Sequence, residues 1–284
     1  MFFADNKDVT ISGDYLKQYE INIVASESQA RLKAFENAFD EYDAKIGEIS
    51  DKLSEAQKQT IQDNDEITRL KAELSKLSDD QNYFLFDNVW ENNADFISHY
   101  ILYRYKWAMH PCELRHVRNN FDTTVYSPYL PLIDAYIAKL EKVEEGKPYT
   151  DFAMTDVNGN TKKLSDVVGQ NELLIVDFWA SWCPDCRKEN PFVVSVYKDF
   201  HSKGLDVFSV SLDTDRDKWL AGIEADGLVW ENHVSDLKGW GNGASDIYAV
   251  VAIPDNVIID RNGIIVARNL HGDDLRSFVE MKLQ

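Results

Sequence analysis

One stretch constrains the rest of the chain: Leu173 to Pro191, which reads LLIVDFWASWCPDCRKENP. Leu173–Val176 is a short apolar run with β-branched residues, and it predicts a strand buried on both faces. The chain then turns through Ala180-Ser181-Trp182 into Cys183-Pro184-Asp185-Cys186, and Arg187-Lys188-Glu189-Asn190 begins a helical pattern. Pro184 suits the first helical position, where its fixed φ fits and its missing N–H costs nothing. The first thiol therefore sits at the mouth of a helix and the second about one turn inside it. A free cysteine has a pKa of about 8.5 and reacts only as thiolate. The unpaired N–H groups and the dipole of a helix N-terminus favour an anion there, so a C-x-x-C thiol so placed can fall to about 7. Cys183 is then the attacking sulfur, and Cys186 resolves the mixed disulfide by attacking Cys183. Asp185 between them carries a negative charge that opposes part of this effect.

A lone C-x-x-C leaves other readings open. It is also compatible with half a zinc site or with two ordinary buried cysteines. A closed zinc site needs four ligands, and the chain adds only Cys112, with His110 and His116 near it. These three do not share a helical face at ligand spacing, so no metal site and no cofactor is expected. Covalent haem attachment needs histidine after the second cysteine, and residue 187 is Arg. The strand-then-helix context favours redox chemistry.

At these residues the chain resembles a known family. Asp177-Phe178-Trp179-Ala180, then Trp182-Cys183 and Cys186, with Pro191 five residues on, is similar to a thioredoxin active site. The wording F-W-A-S-W-C…C-R-K-E-N-P resembles the TlpA/ResA-type thiol–disulfide oxidoreductases of bacterial cell envelopes, especially the large Bacteroidetes members with a helical N-terminal extension. The likeness covers about residues 147–284. It implies an α/β thioredoxin-like fold, a central mixed sheet flanked by helices, preceded by a mainly α-helical domain. It also implies dithiol exchange with disulfide-containing envelope proteins, as a reductase fed by an upstream thiol electron donor. Many relatives carry Gly-Pro between the cysteines where this chain carries Pro184-Asp185, which bears on the redox potential.

Charge narrows the partners. A net charge of −19 repels the phosphates of nucleic acid and excludes a polybasic membrane patch. Three cysteines do not make a disulfide framework, and Cys112, left over, is expected as a small buried apolar residue. No run of 18 apolar residues exists, and Met1-Phe2-Phe3-Ala4-Asp5 is too short for a signal-peptide core. Taken literally this suggests a cytoplasmic protein; the resemblance implies export to the periplasm or cell envelope, with the leader outside this sequence.

Residues 1–27 read as a short segment, a possible remnant of a β-domain, with Val9, Ile11, Ile21 and Ile23 as brief alternations. Residues 28–143 read as an α-helical domain. Phe35, Phe39, Tyr42, Ile46, Ile49, Leu53 and Ala56 recur at spacings of four and three, and Ile67, Leu70, Leu74 and Leu77 resume the register. The polar stretch between them is either the wet middle of one long helix or the turn of a hairpin. A helix packing within its own domain is expected, with a coiled-coil homodimer as the alternative. Residues 144–148 (EEGKP) read as a linker, and 149–284 as the α/β domain.

Four further features bear on chemistry. Ile253-Pro254 alone predicts an ordinary trans proline opening an edge strand; the resemblance makes it the cis-proline facing the active-site disulfide, with the Ile253 backbone free to pair with an extended client. Trp182, Pro184, Ile253 and Pro254 are the expected client-binding residues. Asp177, six residues before Cys183 on a buried strand, is expected to have a raised pKa and to exchange the proton of Cys186 through a water. The resemblance matches it to the buried acid of thioredoxin, whose lysine partner is here replaced by Ser209 and Ser211. Glu189 is expected as an exposed helix residue and Trp179 as a structural one. Two other functions were weighed: a peroxiredoxin-like peroxidase, for which Ala180 stands where threonine is wanted, and an adaptor whose helical domain binds a partner protein.

Overall fold

The computed structural model describes residues 10–12, 22–24, 27–59 and 63–284. The chain forms two compact units, divided at Asp134/Ala135. Of the segment 1–27, the two described pieces pair antiparallel: β1 (Thr10–Ser12) with β2 (Asn22–Val24). The remainder of that segment lies outside the described residues.

The first unit is built on two long helices, α1 (Glu27–Lys58) and α2 (Asn64–Glu91). Asp63 begins the second by accepting the N–H groups of Asp65 and Glu66, the short polar side chain a helix start needs. Phe35 stacks on Phe84 at 5.3 Å and Gln81 donates to Asp43 at 2.6 Å, so the two helices fold back on each other. The heptad pattern is thus divided over two helices that pair as a hairpin, and residues 60–62 between them lie outside the described residues. Phe35, Phe39, Ile49, Ile67, Leu70, Leu85 and Val89 are buried within this unit. Two shorter helices follow, α3 (Phe96–Tyr105), capped by Asp95, and α4 (Pro111–Asn120), which carries Pro at its first turn. Cys112 corrects the expectation of a buried residue. It lies exposed at the start of α4, 3.0 Å from His110 Nδ1, because a side chain in a helix's first turn has no preceding turn to cover it.

α5 (Leu130–Leu140) leads into the second unit. Residues 144–148, expected as a linker, run beside the sheet: Gly146 N donates to Ile265 O and Ile265 N to Lys147 O. β3 (Ala153–Asp156) and β4 (Thr161–Lys163) form a hairpin around Asn158-Gly159. β5 (Leu173–Trp179) follows and is buried at every residue, as its unbroken apolar run requires. α6 (Pro184–Phe200) runs through Pro191, and β6 (Leu205–Ser211) pairs parallel with β5. α7 (Arg216–Asp226) comes next, capped by Asp215 and closed by Gly227 in the left-handed region.

A further strand follows, β7 (Asn232–Ser235), parallel to β6. Its four residues are all buried, although the sequence NHVS has no strand pattern; neighbours on both sides make it a strand. After the short α8 (Gly243–Ile247) come β8 (Asp255–Asp260), β9 (Ile265–Arg268) and α9 (Gly272–Lys282). The sheet order is β4-β3-β7-β6-β5-β8-β9, with parallel and antiparallel pairs mixed. This is the expected α/β architecture, and it puts the end of β5 and the start of α6 near its centre.

Candidate active site

The site grows from the end of β5. Four residues after that strand, Cys183 caps α6, and the Cys186 N–H donates to Cys183 Sγ at 3.1 Å. The sulfur therefore receives an unpaired helix-start amide, the contact that stabilises a thiolate when the pair is reduced. Cys183 and Cys186 are disulfide-bonded, with Cα atoms 5.3 Å apart. Cys183 is 5% exposed and Cys186 is not exposed at all, so an approaching polypeptide reaches Cys183 first. Asp185 is exposed and lies 3.8 Å from Lys188, whose charge opposes its own.

Around the sulfurs stand the residues expected to meet a client. Trp182 is half exposed, and its Nε1 donates to Leu212 O at 3.3 Å. Trp240, also half exposed, has its ring 6.4 Å from that of Trp182. Sequence reasoning did not single out Trp240 for the site, and nothing in its local pattern marks it. Pro184 is exposed at the first turn of α6. The Ile253–Pro254 bond is cis, and Ile253 O lies 3.7 Å from Cys183 Sγ. These residues come together from three separate parts of the chain. Trp179 is fully buried in the core.

The loop carrying Trp182 and Cys183 is clamped by side chains that the sequence did not point to. Asp213, buried just beyond β6, accepts from Ser181 N at 3.0 Å and from Ser181 Oγ at 2.6 Å. Ser211 Oγ also donates to it at 2.8 Å. Arg187 pairs through two nitrogens with Asp226 of α7, its Nη2 at 2.7 Å, and its Nη1 donates to Ser181 O at 3.2 Å. Asn190 Nδ2 adds a bond to Asp226 at 2.6 Å. Gly222 allows α7 to approach, since a Cβ there would stand 2.9 Å from Ser181 Cβ and 3.1 Å from the Trp179 ring.

Asp177 and Glu189 form a buried acidic pair on β5 and α6, the two elements that carry the site. Asp177 is buried on β5, opposite Ser209 of β6, whose hydroxyl donates to its Oδ2 at 3.0 Å. Trp230 Nε1 in turn donates to Ser209 Oγ at 3.0 Å, so a serine–indole chain stands where the resemblance would place a lysine. Burial raises the Asp177 carboxyl to about 7; the Ser209 bond opposes the rise, and the Glu189 and Asp255 charges add to it. Glu189 corrects the expectation of an exposed helix residue. Its carboxylate is largely buried, accepts from Gly272 N at 2.8 Å, and is raised to about 7, chiefly by burial. The covering element, α9, begins more than eighty residues later, and no periodicity within α6 could announce it. Among the described residues no group of three or more His, Cys, Asp or Glu side chains is arranged to hold a metal ion.

The chain is similar to several known proteins. A family model described as the AhpC/TSA family matches residues 146–268. The thiol-disulfide oxidoreductase ResA of Bacillus cereus is 30% identical over 160 residues, covering 54% of this chain and 84% of its own length. ResA of Bacillus subtilis is 35% identical over 81 residues, 28% of this chain and 44% of its own. Among solved structures, the thioredoxin domain of a thiol-disulfide oxidoreductase from Bacteroides vulgatus is 33% identical. It covers 50% of this chain and 99% of its own, with a TM-score of 0.46.

Proposed function

Because this chain belongs to the ResA-like thiol–disulfide oxidoreductases of the thioredoxin superfamily, we propose that it reduces disulfides in proteins of the cell envelope, with Cys183 attacking and Cys186 resolving. The enzyme class, thiol–disulfide exchange, is that of its relatives. The order of attack is carried by one observation: Cys183 is the sulfur at the surface and the one that accepts the helix-start N–H, while Cys186 is sealed.

In this reading the Cys183 thiolate attacks one sulfur of a client disulfide. That client bond breaks, a Cys183–client disulfide forms, and the departing client thiolate takes up a proton. Cys186 then loses its proton, attacks Cys183 Sγ, and releases the second client thiolate. Two electrons pass from the dithiol to the client. Asp177, with a pKa near neutrality, is the base for Cys186. The Ile253 backbone pairs with the client in extended form, beside Trp182, Pro184 and Pro254. An oxidising envelope requires an upstream thiol donor to restore the dithiol. Among the described residues no helix is long and apolar enough to cross a membrane. Phe35, Phe39, Ile49, Ile67 and Leu70 of the repeat are buried within the helical unit while Ile46, Leu53, Leu74 and Leu77 stay partly exposed, and the homodimer is the alternative that would cover these. The peroxidase reading lacks a hydroxyl at Ala180.

The test is trapping. Cys186→Ser should accumulate thiol-sensitive adducts with clients through Cys183, and Cys183→Ser should accumulate far fewer. Adducts formed mainly by Cys183→Ser would reverse the assignment. The reduction potential gives the direction: a value near about −270 mV fits a reductase and one near about −120 mV an oxidant.

A further inference from the structure

His271, the residue before α9, has one ring nitrogen with no partner. Its Nδ1 is buried, forms no hydrogen bond, and faces Glu189 Oε1 at 3.9 Å. A buried nitrogen left unpaired is costly, and a cap role for Glu189 does not explain it, because the Glu189 carboxylate already accepts from Gly272 N. The other nitrogen, Nε2, lies 2.8 Å from the Oδ1 of exposed Asn269. An oxygen partner makes Nε2 the proton-bearing nitrogen, so Nδ1 turns its lone pair toward Glu189. The ring is about one-third exposed and stands between a largely buried carboxyl and the surface.

We propose that His271 is a positioning residue for the exchange reaction, acting through Glu189: it passes a proton between that buried carboxyl and solvent while Cys186 resolves the mixed disulfide. The inference rests on the oxidoreductase reading above. Cys186 has no exposure, so the proton it loses needs a protein route. Glu189 lies three residues after Cys186 on α6 and shares its face. The Glu189 charge also bears on Asp177. The gap from Nδ1 to Oε1 closes to hydrogen-bond length with a movement of about 1 Å, and such contacts are often long before substrate binds. No electron moves in this step: the Cys186 proton passes to Asp177, whose charge is coupled to that of Glu189, Glu189 releases one proton through His271 to solvent, and the client thiolates take theirs from solvent.

The frame around the ring is built to hold it. Asn256, which faces Asp177 across β5 and β8, donates its Nδ2 to Leu270 O at 2.6 Å and accepts Leu270 N at 3.2 Å. Asn269 N donates to Asn256 O at 2.8 Å, and Asn269 adopts φ 54°, a left-handed turn that asparagine tolerates. The charged groups facing the pair are Asp177 on β5, Asp255 on β8, Asp273 and Asp274 on α9, and Arg268 on β9, which binds Asp255 at 2.9 Å. Tyr136 of α5 faces Asp255 and Arg268. Burial lowers the His271 pKa, opposed by Asp255 and Asp274, and a neutral ring can accept the proton of a neutral Glu189.

The test mixes the reduced full chain with oxidised glutathione in a stopped-flow instrument. The slope at low disulfide measures attack by Cys183, and the plateau at high disulfide measures resolution by Cys186. At pH 7, H271Q should lower the ratio of plateau to slope about tenfold, a modest share of what proton transfer contributes. E189Q, which can still accept the Gly272 N–H, should do the same, and H271Q on top of E189Q should add nothing. A ratio that H271Q does not move overturns the relay, and so does an equal fall in both steps, which marks structural damage. A wild-type chain that shows no exchange at all overturns the oxidoreductase reading itself, and the relay with it.

Discussion

The two flanks of the catalytic helix are built by opposite rules. On the flank toward α7, the charged groups are paired: Asp213 takes three donors from Ser181 and Ser211, and Asp226 takes Arg187 and Asn190, while the indole N–H groups of Trp179 and Trp219 are buried without a partner. On the flank toward α9, His271 Nδ1, Asp255 Oδ1 and Arg268 Nη1 are buried without hydrogen bonds, and two carboxyls sit near neutral pKa. A satisfied network in low dielectric is rigid, because every member loses a partner if it moves. An under-satisfied one holds groups whose protonation changes cheaply near neutral pH. In the reading proposed above, the first flank sets where Cys183 stands and the second serves the proton of Cys186.

The largest effect expected is on the acidic flank. Asp177→Asn keeps an acceptor for Ser209 and removes the buried charge. Asp177 has a folded pKa of about 7, above its ordinary carboxylate value. Its folded form therefore holds more protons than the unfolded chain between about pH 4 and 7, and this group's contribution to stability falls as pH rises through that window. The variant should match wild type near pH 3.5 and exceed it by on the order of 3 kcal/mol at pH 8, read by urea denaturation at both pH values. A constant difference across pH would mean the carboxyl ionises freely, and the contrast between flanks would disappear.

A smaller effect, of opposite sign, is expected on the paired flank. Arg187→Ala strips the cation from a largely buried Asp226, while Asn190 remains. A loss of about 2 kcal/mol is expected, below the range for fully buried pairs because Arg187 is partly exposed. A loss under about 0.5 kcal/mol would show that the clamp is a surface pair. Smallest is Gly222→Ala, which must push Ser181 away from α7. It should cost about 1 kcal/mol and, by shifting the loop, slow attack by Cys183 more than resolution by Cys186, as the two-step glutathione kinetics would separate.

Much of the site was legible because it is local. The apolar run, the proline after Cys183 and the C-x-x-C spacing all lie within nineteen residues, and each acts through backbone rules that reach one turn of helix. The Asn-Gly turns and the caps at Asp63 and Asp95 are equally local. Other features escaped. β7 carries no alternation and is a strand only because β6 and β3 flank it. Cys112 was expected inside since cysteine is usually buried, and it lies at an exposed helix start. The heptad pattern in α1 and α2 gave an apolar face, but its covering, by the other arm of the hairpin, depended on where the chain turned.

The sequence by itself determined that a thiol stands at a helix start, where amides a few residues away favour its thiolate. It also determined the two-part organisation, through a change of period from helical repeats to short strands. The apolar run around Asp177 already placed that acid inside, but only the tertiary structure decided that Glu189 was hidden. Glu189 differs little in sequence context from the many exposed carboxylates, and its desolvation comes from a helix that arrives from far along the chain. Periodicity states which residues share a face; what closes over that face is settled by the fold, and with it whether a carboxyl keeps its proton.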